Sequence, residues 1–93
     1  MRYIRVRMRV YGRVQGVFFR QSAAIVAEKL GVFGYIQNLE DGSVEAVYEG
    51  EEEAVKRMVE WTKKGPSTAK VTSYSITYEP YKGEFKSFEI RYF

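Results

Sequence analysis

An α+β sandwich, one sheet backed by two helices, is what this sequence predicts, and three observations predict it. Ile4, Val6, Met8 and Val10 alternate with Arg5, Arg7, Arg9 and Tyr11, the period of two that marks a half-buried strand. Two later segments carry apolar residues at helical spacing and end at Gly31 and at Gly65-Pro66. Asp41-Gly42 lies between two strand-like runs, which is a strong short-range hairpin signal. Ninety-three residues, 45% of them hydrophobic, fit one domain over 1–93 with an aromatic core.

The elements follow in order. After the first strand, Gly12 to Phe18 contains two glycines that break the alternation and reads as a loop. From Phe19 or Arg20 to Leu30, Ala23, Val26, Ala27 and Leu30 define a helix. Val32 to Glu40 forms a second strand, and Val44, Ala46 and Tyr48 alternate in a third that Gly50 ends. Glu51, Glu52 and Glu53 complement the positive end of a second helix, Val55, Met58, Val59 and Thr62 form its apolar face, and Lys63 and Lys64 close it. Val71 to Glu79 is a fourth strand stopped by Pro80, and Phe88, Ile90 and Tyr92 alternate in a short fifth. The order β-α-β-β-α-β-β matches the ferredoxin-like plan, an antiparallel sheet with two helices on one face and the other face open to solvent. Right-handed crossovers make strands one and two parallel, with strand three between them. The loop after Tyr11 and the residues around Asn38 then meet at one edge of the sheet.

Composition narrows the chemistry. Neither Cys nor His occurs, which removes thiolate nucleophiles, Ser-His-Asp machinery and the usual zinc and iron–sulfur ligand sets. No cofactor and no metal is expected. Residues 1–27 carry six Arg and no acid, whereas residues 28–93 carry nine bases and twelve acids, so the N-terminal third favours an anion. The longest run of aliphatic or aromatic residues is the five from Ala23 to Ala27, far short of the roughly 20 that span a bilayer. With no continuous apolar segment in MRYIRVRMRV, the expectation is a cytoplasmic protein without a membrane partner.

The segment from Gly12 to Arg20 has the makings of an oxyanion site: a two-glycine loop that runs into a helix N-terminus with an Arg in its first turn. Unpaired N–H groups, the helix dipole and a guanidinium fork together suit phosphate or sulfate. A plain connection with Arg20 paired to a carboxylate is the alternative. Asn38, at the end of the second strand, both donates and accepts, and so can orient a water molecule toward a bound phosphorus. Its plainer role is a hydrogen bond to the following turn.

Val10-Tyr11-Gly12-Arg13-Val14-Gln15-Gly16-Val17-Phe18-Phe19-Arg20, then Gly34-Tyr35, Asn38-Leu39, Asp41-Gly42-Ser43-Val44-Glu45, Gly65-Pro66 and Phe88-Glu89-Ile90-Arg91-Tyr92 resemble the acylphosphatases over almost the whole chain. The resemblance implies a metal-free hydrolase that takes small-molecule acyl phosphates to a carboxylate and inorganic phosphate. It assigns phosphate binding to Arg20, orientation of the water to Asn38, and a phosphate cradle to the backbone N–H groups of Arg13, Val14, Gln15, Gly16, Val17 and Phe18. Phe18 departs from the many members with Gly, Cys or Ser there. A carboxylate leaves readily, so the reaction asks mainly for positioning and charge stabilisation. Glu40 and Asp41 point away in the turn, which leaves the phosphoryl group itself to take the water proton.

Two other readings compete. The same plan serves RNA recognition, but that needs outward aromatics, and the outward positions of strand three are Glu45, Val47 and Glu49 beside Arg5, Arg7 and Arg9; cross-strand ion pairs explain that pattern without nucleic acid. A non-catalytic module that binds acyl or carbamoyl phosphate is the remaining alternative. A monomer is expected.

Overall fold

A computed structural model describes residues 1–92. The elements are β1 (Tyr3–Arg13), α1 (Phe19–Leu30), β2 (Phe33–Asn38), β3 (Val44–Glu51), α2 (Glu52–Lys64), β4 (Lys70–Glu79) and β5 (Phe88–Arg91). They form one five-stranded sheet in the order β4-β1-β3-β2-β5. β3 runs antiparallel to both β1 and β2, which makes those two parallel as the crossover rule requires. The expected all-antiparallel sheet needs one correction, because β5 lies parallel to β2.

Alternation sorts the side chains. Ile4, Val6, Met8 and Val10 of β1 point to the helices, where they meet Phe19, Ala23 and Ala27 of α1 and Val55, Met58 and Val59 of α2. Tyr48 is buried in that core, and its hydroxyl lies 2.7 Å from that of Thr62, which in turn donates to Met58 O. The pair gives the hydroxyls partners that burial would otherwise cost them, although burial still pushes the Tyr48 phenol up.

Two further corrections bear on function. First, Gly12 and Arg13 belong to β1 and not to the loop, because the strand continues through a bulge between Tyr11 and Gly12 against β4. A Cβ at Gly12 would overlap Lys70 O, so the bulge admits only glycine. Second, the face of the sheet away from the helices is covered over part of its area, while Ser75 and Thr77 of β4 remain exposed on it. β4 and β5 occupy opposite edges, and the connection from Pro80 to Ser87 crosses that face to join them. Lys82, Gly83 and Glu84 each donate a backbone N–H to the Glu49 carboxylate, and Phe85 packs edge-on to Tyr35. Arg5, Val47 and Glu49 are buried as a result.

Candidate active site

The segment from Val14 to Phe18 leaves the end of β1 and enters α1, and it is pegged from below. Val14 and Val17 are buried side chains of the core. Gln15 Nε2 donates to Leu39 O (2.8 Å) and Ser43 O (2.9 Å), which ties the segment to the β2–β3 turn. Gly16 and Phe18 both have positive φ, 74° and 62°. The Thr68 hydroxyl donates to Val17 O at 2.6 Å. Because the peptide is planar and trans, holding that carbonyl toward Thr68 turns the N–H of Phe18 the other way. Among the described residues, no protein acceptor takes the N–H groups of Gln15 to Gln21, and the first α1 bond runs from Ser22 N to Phe18 O. A row of unpaired donors at a helix N-terminus is an anion-receptive surface.

Arg20, Asn38, Val14, Gly16, Phe18, Phe19 and Gln21 line a cleft of about 150 Å³ at this junction. The two separate sequence signals thus meet in space, whereas Arg13, Gln15 and Val17 do not line the cleft. The Arg20 guanidinium lies over the Tyr92 ring, 4.7 Å from its centroid, and makes a long contact with Arg91 O (3.4 Å). No carboxylate pairs with it among the described residues, so the plain reading of Arg20 does not hold there. The turn closes through Leu39 N to Ser43 O and Gly42 N to Leu39 O without the Asn38 side chain. Asn38 Oδ1 is buried and has no hydrogen-bond partner. Glu40 and Asp41 are exposed on the turn. The Ser43 hydroxyl and N–H hold the Asp41 carboxyl below the usual carboxylate range. Among the described residues no cluster of acidic side chains could hold a metal ion, and no helix is long and apolar enough to cross a membrane.

Nothing in the sequence placed Thr68, Arg91, Tyr92 or the side chain of Gln15 at the cleft. Thr68 lies 51 positions from Val17 and Arg91 lies 71 from Arg20, distances at which periodicity and turn chemistry are silent.

Fold and cleft together define the class: a ferredoxin-like α+β sandwich with a cationic cleft at the β1–α1 junction. The family model described as Acylphosphatase matches residues 6–90. A protein named Acylphosphatase from Aeropyrum pernix is 52% identical over 90 residues, covering 96% of this chain and 89% of that protein. One of the same name from Rubrobacter xylanophilus is 52% identical over 94% of this chain and 79% of its own. The crystal structure of acylphosphatase from Bacillus subtilis superposes with a TM-score of 0.91 at 38% identity, over 96% of this chain and 99% of that one. The chain belongs to the acylphosphatase family, and it is an enzyme.

Proposed function

We propose that this protein hydrolyses the carboxyl-phosphate bond of acyl phosphates through an in-line attack by water, with Arg20 and the N–H groups of the 14–18 segment holding the phosphoryl group. Family membership supports the reaction class. The observation that carries the mechanism is the buried, unpartnered Oδ1 of Asn38 in the cleft that Arg20 also lines. Leaving such an acceptor unmet costs about 1–3 kcal/mol, so a donor seated there is favoured, and a water molecule donates to Oδ1 while keeping its lone pairs for phosphorus.

The water oxygen then bonds to phosphorus as the bond to the acyl oxygen breaks, and that electron pair leaves on the carboxylate. Charge stays on the equatorial oxygens, where a guanidinium and fixed N–H dipoles stabilise it. The water proton passes to a phosphoryl oxygen, giving inorganic phosphate. The turn carboxylates are poor candidates for that proton: both are exposed and outside the cleft lining, and Asp41 is held below its usual range.

The test is hydrolysis of benzoyl phosphate in EDTA by the unaltered protein and by Arg20→Ala and Asn38→Ala, with circular dichroism as the check on folding. Each variant should lose at least about a hundredfold in kcat/KM. Full activity in a folded variant would remove that residue from the mechanism, and phosphate binding without turnover by the unaltered protein would favour a binding module instead.

A further inference from the structure

Phe18 is the only non-glycine residue with positive φ among the described residues, and it is 70% exposed. A bulky side chain in the left-handed region is strained, and strain of this kind persists where the surroundings or the function require it. The fold offers little reason: Phe18 caps α1 without a side-chain hydrogen bond, and its ring is not part of the core. The other apolar side chains of the cleft, Val14 and Phe19, are buried. Phe18 is therefore the apolar side chain of the lining that stands open at the mouth.

The direction of the reaction connects that ring to the substrate. If water sits at the buried Oδ1 of Asn38, in-line displacement sends the leaving acyl group the opposite way, outward through the mouth. We propose that the Phe18 ring is the contact for the acyl group, and that it selects acyl phosphates with aromatic or bulky apolar substituents over acetyl phosphate. The inference rests on the hydrolysis proposed above. Ring-on-ring contact in water has a preferred offset or edge geometry, which an exposed phenyl at the rim of a small cleft is free to adopt.

The experiment measures kcat/KM for benzoyl phosphate and for acetyl phosphate in the unaltered protein, in Phe18→Gly and in Phe18→Tyr. Glycine keeps the backbone conformation and removes the ring, and tyrosine keeps the ring. The benzoyl-to-acetyl ratio should fall about three- to tenfold in Phe18→Gly, the range of aromatic pair energies, and stay within about twofold in Phe18→Tyr. A change in the cradle alone would move both substrates together and leave the ratio intact. An unchanged ratio in Phe18→Gly, or an equal fall in both variants, overturns the proposal while leaving hydrolysis standing. Failure of the unaltered protein to hydrolyse either substrate overturns both.

Discussion

The cleft at the β1–α1 junction and the outer face of the sheet are both rich in polar groups, and they treat them in opposite ways. On the outer face Arg5 bonds Glu49 (3.2 Å), Glu79 (2.9 Å) and Glu84, Arg7 bonds Glu79 (2.8 Å) and Glu45 (3.2 Å), and Gln37 and Tyr35 donate to Glu45. Arg5, Arg7, Glu45, Glu49 and Glu79 there all have partners from the protein. In the cleft, Asn38 Oδ1 has none, and among the described residues the N–H groups of Gln15 to Gln21 have none. A buried network with all its partners holds the fold in one arrangement, whereas polar groups left open await a ligand. The difference also sets the worth of the ion pairs. As exposed cross-strand pairs they would each be worth a few tenths of a kcal/mol; with Arg5 and Glu49 buried, removing one partner strands the other.

The comparison breaks if the two regions respond alike to mutation. Glu49→Ala takes an acceptor from Arg5 and from three backbone N–H groups, and the expected loss is about 3–5 kcal/mol, a fall in Tm of more than about 12 °C by calorimetry. Asn38→Ala removes an acceptor that costs the fold about 1–3 kcal/mol where no water meets it, so the same calorimetry should find no loss of stability while kcat/KM falls at least about a hundredfold, equivalent to ~2.7 kcal/mol. A large loss of stability in Asn38→Ala would mean that the cleft is structural after all.

Acid sharpens the contrast on the outer face. Hydrogen bonds from Arg7 and Arg5 hold the Glu79 carboxyl down to about 2, from an ordinary value of 4.5. A depressed carboxylate stabilises the fold fully above its unfolded pKa and loses that contribution as pH falls through its folded one. The stability gap between the unaltered protein and Glu79→Gln should therefore be widest above pH 4.5 and narrow toward pH 2, as read from urea midpoints along a pH series. A constant gap would mean that Glu79 contributes through shape and not charge. The smallest effect belongs to Phe18→Gly. Release of left-handed strain, partly offset by the freer unfolded chain, should stabilise by about 0.5 kcal/mol, measured as a higher urea midpoint; a lower midpoint would show that the ring packs in the fold.

Much of this was legible in the residues themselves. The period of two in β1, the glycine stops of both helices and the Asp-Gly turn placed the elements to within a residue or two, because each is a local preference of the backbone. Gly12 is the instructive exception. Its break in the alternation reads as the start of a loop, yet pairing with Lys70 and Val71 carries the strand on through a bulge. The outer face was misjudged for a related reason: Glu45, Val47 and Glu49 alternate as solvent-facing positions should, and nothing near them announces a cover supplied by residues 80–87.

What the sequence determined by itself was the set of elements, their order, the absence of His and Cys chemistry, and the two signals at Arg20 and Asn38, since these follow from composition, short-range patterning and crossover handedness. Only the tertiary structure decided what those signals touch. It put β5 parallel to β2, drew the 80–87 connection over Arg5 and Glu49, brought Tyr92 under Arg20 and Thr68 to Val17 O, and left Asn38 Oδ1 without a partner. The contacts among these join residues some 30 to 80 positions apart, and contact at such range is set by how whole elements pack, which no local pattern encodes.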